Sequence, residues 1–159
     1  MAIRFRRMLK SDIDNVREAA MASWKHTYSE IFADVFIEKF VNENYSQGAL
    51  ESLLPMIRAG EMFFHVATDE SRIVGYCHMG KISTWELFRI YIVPQYQSKG
   101  IGKKLLCKGE EYLRRKGAKK YFCFVHRKNK NGLMFYLKRG FVHIPEKDKP
   151  DEWHMEKKL

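Results

Sequence analysis

Apolar and polar residues alternate or recur along this chain with periods that separate strands from helices. Ile3 and Phe5 alternate with arginines, the period of a first half-buried strand. Ser11 to Asp14 has the layout of a capping box and opens a helix running to about Tyr28. Ile31 to Tyr45 and Gly48 to Ala59 read as one or two further amphipathic helices, with Phe36, Ile37, Phe40 and Val41 on one face. Met62 to Ala67 and Ile73 to Ile82 are strands joined by the polar turn Thr68-Asp69-Glu70-Ser71, a hairpin signal, and Glu86 to Val93 completes a three-stranded meander.

Downstream the period changes. Ile101, Leu105, Leu106, Tyr112 and Leu113 recur at helical spacing while lysines, Glu110 and arginines fill the other positions, and Gly117 is placed to end that helix. Tyr121 to Val125 is a short apolar strand, Asn129 to Lys138 a helix ended by Gly140, and Trp153 to Lys158 a final strand. Strands that come first as a meander and then alternate with helices predict an α/β fold with a mixed sheet. No repeat or low-complexity linker divides the chain, so 1–159 is read as a single domain.

Composition narrows the classes. An apolar content of 45% is that of an ordinary globular domain, and no apolar run approaches the ~18 residues of a membrane span. The N-terminus Met1-Ala2-Ile3-Arg4-Phe5-Arg6-Arg7 lacks the apolar centre of a secretion signal, so a cytoplasmic protein is expected, with no membrane partner. Cys77, Cys107 and Cys123 form no Cys-x-x-Cys pair, and none of the six histidines belongs to a His-Glu-x-x-His motif; reduced, mostly buried thiols and no metal are expected. The net charge of +10 does not discriminate, because a basic protein attracts nucleic acid and a small polyanionic ligand alike. The basic residues are spread over several helices rather than gathered in one tail, with Lys99, Lys103 and Lys104 around one glycine-rich turn.

That turn carries the chemistry. From Glu86 to Gly102 an apolar strand passes through Pro94 into a glycine-rich, basic helix start. Amides at a helix N-terminus have no intrahelical acceptor, and glycines let an anion come close to them, so the segment suits a phosphorylated ligand. A dinucleotide fingerprint would need Gly or Ala where Leu105 stands, and a Walker A loop needs Ser or Thr after Lys103, where Lys104 stands. The remaining pattern, Gln97-x-x-Gly100-x-Gly102, resembles the pyrophosphate loop of the GNAT superfamily of N-acetyltransferases. Asn129-Lys130-Asn131-Gly132-Leu133-Met134-Phe135-Tyr136-Leu137-Lys138-Arg139-Gly140-Phe141 is similar to that family's Asn-x-x-Ala-x-x-x-Tyr-x-x-x-Gly-Phe segment, with Gly132 in place of Ala. Trp24-x-x-Thr27-Tyr28 and the closing Glu152-Trp153-His154-Met155-Glu156-Lys157 extend the likeness over the whole chain, and within the superfamily the PaiA-like polyamine acetyltransferases are the nearest subgroup.

The resemblance implies a GNAT fold, a mixed and mostly antiparallel sheet of six to seven strands flanked by helices, and acetyl transfer from acetyl-CoA to a primary amine by direct attack. It implies that Tyr91, Ile92, Val93, Gln97, Ser98, Lys99, Gly100, Ile101, Gly102, Lys103 and Asn129 hold the cofactor, with a bulge near Ile92 and Val93 turning a backbone amide toward the thioester carbonyl. Tyr136 is then the acid facing the leaving thiol, and Glu86, eleven residues before Gln97, the base; in many members the acid stands two residues later, where this chain has Phe88. The acceptor groove would draw on the first helices and strand ends, with Trp24, His26, Tyr28, Glu30, Asp34 and Trp85 as candidates whose aromatic faces and carboxylates suit a polyamine. Two other readings stand beside a small amine: acetylation of protein N-termini or lysines, and a noncatalytic module binding acyl-CoA or nucleic acid. A homodimer is also left open.

Overall fold

The computed structural model describes residues 2–159. Seven strands, β1 (Ile3–Arg7), β2 (Phe63–Asp69), β3 (Arg72–Lys81), β4 (Trp85–Ile92), β5 (Lys120–His126), β6 (Val142–His143) and β7 (Glu152–Lys158), make one sheet in the order β1-β2-β3-β4-β5-β7-β6. Every neighbouring pair is antiparallel except β4 and β5, which run parallel and share a single registered pair, Glu86 with Phe122. The helices are α1 (Ile13–Tyr28), α2 (Asp34–Asn44), α3 (Gln47–Glu51), α4 (Leu54–Arg58), α5 (Ile101–Arg115) and α6 (Lys130–Lys138). This is the α/β architecture that the strand and helix periods predict, with β6 as the strand that the sequence reading omits.

Two local expectations are corrected. Ser11 to Asp14 forms no capping box: a 3-10 turn over Lys10–Asp12 precedes α1, and the Asp12 carboxylate accepts the Leu9 amide at 2.7 Å and a two-pronged bond from Arg6 at 2.6 and 2.9 Å. The arginine has captured the side chain that a cap would use. The stretch from Gly48 to Ala59 breaks into α3 and α4 because Pro55 stands in the first turn of α4, where its missing amide costs nothing.

Strict alternation along β3 sorts the helices onto two faces. Tyr76 packs against Tyr45 and Tyr91 on the α1–α2 face, whereas a Cβ on Gly75 would meet Leu105 of α5 at 3.5 Å and Gly109 of α5 sits against Met79. On β4 the alternation fails once. His78 pairs with Arg89 and Met79 with Leu87, so Phe88 is an extra residue and the strand changes parity there. Trp85 therefore lies edge-on to Tyr112 of α5 at 6.2 Å, whereas Tyr91 lies 5.9 Å from Trp24 of α1.

The core fills both faces with Phe64, Val66, Val74, Tyr76, Leu105 and Leu113, each fully buried. A buried carboxylate sits within it. Glu110 of α5 accepts the Tyr121 hydroxyl and pairs with Lys157 of β7 at 2.8 Å, joining the helix to two strands. Cys77 and Cys123 are buried free thiols and Cys107 is exposed.

Acid should weaken this fold in two stages. Burial, helped by Lys108, Arg7 and Arg115, lowers His65 from 6.5 to about 4, and burial beside Arg89 lowers His78 well below 6.5. Both rings stay neutral in the fold but charge in the unfolded chain, so stability falls as pH drops from 6.5 toward 4. The Lys147 hydrogen bond, with His154 and Lys120, outweighs burial and holds Glu156 at about 2 instead of 4.5, so its contribution is present above 4.5 and is lost as pH falls toward 2. Urea unfolding across this range should show His65→Gln flattening the upper stage only; an unchanged profile would assign the loss elsewhere.

Candidate active site

The parting of β4 from β5 creates the site. Their registered pairing stops after Glu86 and Phe122, so the C-terminal half of β4 faces α6 and the loop before it rather than a neighbouring strand. Val93 donates its amide to Val74 at 2.9 Å, which makes that pair a hydrogen-bonded one in the β3–β4 ladder. By antiparallel alternation, Ile92 then points its amide and carbonyl away from β3, into the opening. Gln97 Nε2 takes the Ile92 carbonyl at 3.1 Å, leaving the Ile92 amide as the donor there. Of the two positions expected to turn an amide outward, Val93 commits its amide to the sheet and Ile92 does not, and the bulge expected near them lies at Phe88 instead.

The glycine loop is shaped for an anion. Ser98 and Gly100 have φ of 59° and 81°, left-handed values that turn the chain sharply into α5. The first helical bond runs from Lys104 to the Gly100 carbonyl at 3.1 Å, so the amides of Ile101, Gly102 and Lys103 have no acceptor within the helix. A Cβ on Gly102 would stand 3.1 Å from the Phe135 ring, which explains why α5 approaches α6 so closely there. Lys99, Lys103 and Lys104 are exposed around the turn. These residues fit a coenzyme A pyrophosphate by unpaired amides, helix polarity and charge.

Across the opening, Asn129 caps α6 by accepting the Gly132 amide at 3.0 Å. The Tyr28 phenol bonds the Tyr91 phenol at 2.9 Å and also lies beside Asn129. Tyr136, two turns along α6, lies against the Cys123 thiol; burial pushes its phenol well above 10, so it is protonated at neutral pH. Cys123 in turn feels the charge of Glu86. Burial raises Glu86 above the ordinary carboxylate value, opposed by Lys149 and assisted by Glu152, which brings it closer to the range of a useful base. Tyr136 and Glu86 thus both act on Cys123.

Beside this opening, on the α1–α2 face, is a groove of about 450 Å³ between α1, α2, β3 and β4. Trp24 forms one wall, stacked on Phe40 at 4.3 Å and beside Tyr28 at 4.4 Å. Of the expected acceptor residues, Trp24 and Tyr28 are therefore brought together. Glu30 is exposed on the turn after α1, whose Ile31 and Phe32 amides bond the Tyr28 carbonyl at 2.9 and 2.8 Å. His26 is exposed on the outer side of α1, and Trp85 faces α5 across the sheet; neither reaches the groove. The reason for Trp85 is the parity change at Phe88. Phe88, Arg89 and His78 line the groove and were missed, although an arginine between Phe88 and Ile90 in an apolar strand is a readable signal.

Among the described residues no three His, Cys, Asp or Glu side chains converge as metal ligands, and no helix is long and apolar enough to cross a membrane.

Comparison with known proteins agrees with this geometry. Residues 14–141 match the acetyltransferase (GNAT) family. The spermidine N(1)-acetyltransferase of Thermoplasma acidophilum is 34% identical over 160 residues, covering 99% of this chain and 98% of the relative. The crystal structure of the PaiA N-acetyltransferase from the same organism, in complex with coenzyme A, superposes with a TM-score of 0.95 at 32% identity over all of both chains. A GNAT-family acetyltransferase from Staphylococcus aureus shares the fold, with a TM-score of 0.79 at 19% identity over 99% of each chain. A sheet that opens at β4 beside a left-handed glycine turn capping α5 suits acetyl-CoA, and by sequence and by structure the chain belongs to the GNAT family of acetyl-CoA-dependent N-acetyltransferases.

Proposed function

We propose that the acceptor is a small polyamine of the spermidine type, acetylated on a primary amine by direct attack on acetyl-CoA within a single catalytic domain. The observation that carries this is the end-to-end similarity to a spermidine N(1)-acetyltransferase. The acids near the opening support it: Glu86 and Glu152 lie within each other's field and Glu152 also acts on Tyr28, so cationic groups entering there meet two carboxylates against the one ammonium of Lys149, 3.9 Å from Glu152.

The residues divide the work. An alkylamine has a pKa of roughly 10.4, so most of it is protonated at neutral pH, and Glu86 takes the proton directly or through a water. The amides of Ile101, Gly102 and Lys103 fix the pyrophosphate, and Asn129 stands where the pantetheine arm passes. The Ile92 amide faces the charge that develops on the thioester oxygen. Tyr136 donates a hydrogen bond to the departing sulfur. Because an ordinary thiol has a pKa of about 8.5, below that of this buried phenol, Tyr136 stabilises the thiolate rather than surrendering its proton outright.

Thiol release from acetyl-CoA across spermidine, spermine, amino acids and peptides tests the reading. Turnover should be highest with spermidine or spermine; turnover with peptides alone would transfer the enzyme to the protein-acetylating class.

A further inference from the structure

The acceptor opening already contains an ammonium of the protein's own. Lys149 begins the turn Lys149-Pro150-Asp151-Glu152, which is closed by a reciprocal pair of bonds: the Lys149 amide donates to the Glu152 carbonyl at 3.0 Å and the Glu152 amide to the Lys149 carbonyl at 3.3 Å. Pro150 fixes φ at the second position of the turn. The Asp151 carbonyl accepts the Arg127 amide at 3.0 Å, which ties the turn to the loop leading into Asn129. The backbone is thus held at the mouth of the site, while the Lys149 side chain is 56% exposed and free to swing away.

One face of the sheet gathers what this ammonium meets. Glu86 is registered with Phe122; Phe122, Phe124 and His126 alternate onto the same side of β5; and His126 is registered with Glu152. Glu86, Phe122, Phe124 and Glu152 therefore share that face, each half-buried. Lys149 Nζ lies 4.0 Å from the centre of the Phe124 ring and 3.9 Å from Glu152 Oε1, and its charge reaches Glu86, where it opposes the rise that burial causes. An aromatic face with two carboxylates in range suits an alkylammonium, and a lysine side chain ends in the same group as a polyamine.

We infer that Lys149 is a built-in placeholder: its ammonium occupies the seat over Phe124 and beside Glu152 that a non-reacting ammonium of the polyamine takes, and the acceptor binds by displacing it. The inference rests on the polyamine reading proposed above. One cation replaces another, so the field at Glu86 is kept while the acceptor is bound. Acetylation removes the charge of the reacting nitrogen alone, so the product still holds the seat by its other ammonium, and Lys149 returning to the ring helps it leave.

Calorimetric titration of spermidine into the coenzyme A complex of the protein tests this. Lys149→Met should tighten binding about fivefold, the combined worth of an exposed ion pair and an exposed cation–π contact that spermidine then need not break. Lys149→Arg keeps a cation able to lie on the ring and should bind as the parent does. Lys147→Met removes the same charge from a lysine that pairs with Glu156 at 2.9 Å instead, and should change the affinity by less than about twofold. Unchanged or weaker binding in Lys149→Met would make Lys149 a support for Glu152, and an equal gain in Lys147→Met would make the effect one of net charge; either overturns the inference. Thiol release separates it from the reading on which it rests. Normal turnover of spermidine with affinities that do not move refutes the placeholder alone, whereas affinities in the expected order without turnover refute the acetyl-transfer reading alone. If none of the proteins binds spermidine, both fall.

Discussion

Tyr136→Phe is expected to lower kcat by about 10²-fold, the lower end of what one hydrogen-bond donor aimed at developing charge supplies, with coenzyme A affinity within about twofold of the parent. The substitution removes only the hydroxyl. The ring keeps its edge contacts with Phe141 at 5.1 Å and Phe135 at 5.4 Å, so α6 and the loop it touches through Phe135 stay in place. Steady-state kinetics and calorimetry together make the check: a drop in kcat with unchanged binding places the phenol at the departing sulfur. An unchanged kcat would remove Tyr136 from the reaction, and a parallel loss of binding would make it a packing residue.

The largest effect on stability is expected at Lys157. Its ammonium is 2.8 Å from Glu110, whose side chain is only 6% exposed, and Lys157→Met would leave that carboxylate in the interior with the Tyr121 hydroxyl and an Arg114 contact at 4.0 Å. Removing one partner of a buried pair costs ~3–5 kcal/mol; the remaining neighbours argue for the lower figure, about 3 kcal/mol. For a chain of this size that is a fall in Tm of roughly 6–12 °C. Replacing Glu110 and Lys157 together by Gln and Met should recover much of the loss, because no uncompensated charge then remains. A single variant as stable as the parent would mean that water reaches Glu110.

What could be read from the chain alone followed sequence distance. Gln97 to Gly102 and Asn129 to Tyr136 each span fewer than ten residues, so local spacing already indicates which amides and side chains face a ligand. The long elements, β3 and α5 above all, are legible because β3 is an apolar run buried on both faces and α5 repeats its burial on one face over fifteen residues. β6 has two residues, too few for any period to register. The capping box expected over Ser11 to Asp14 does not form, because the helix start is set instead by Asp12, held by Arg6 from the preceding strand. The groove was invisible for a deeper reason: it is assembled from four elements, and the extra residue at Phe88 exchanges which face Trp85 and Arg89 occupy. Periodicity assumes an unbroken ladder, and a single bulge reverses every assignment beyond it.

Gly132 also bears on the mutational routes open to this lineage. A methyl group there would meet the Asn129 amide nitrogen at 2.6 Å, the far end of a side chain that can turn, and the family segment this chain resembles carries Asn and Ala together. Gly132→Ala therefore asks the seal on α6 to shift rather than to leave. Residue 132 is free to drift between the two smallest side chains while residue 129 stays fixed.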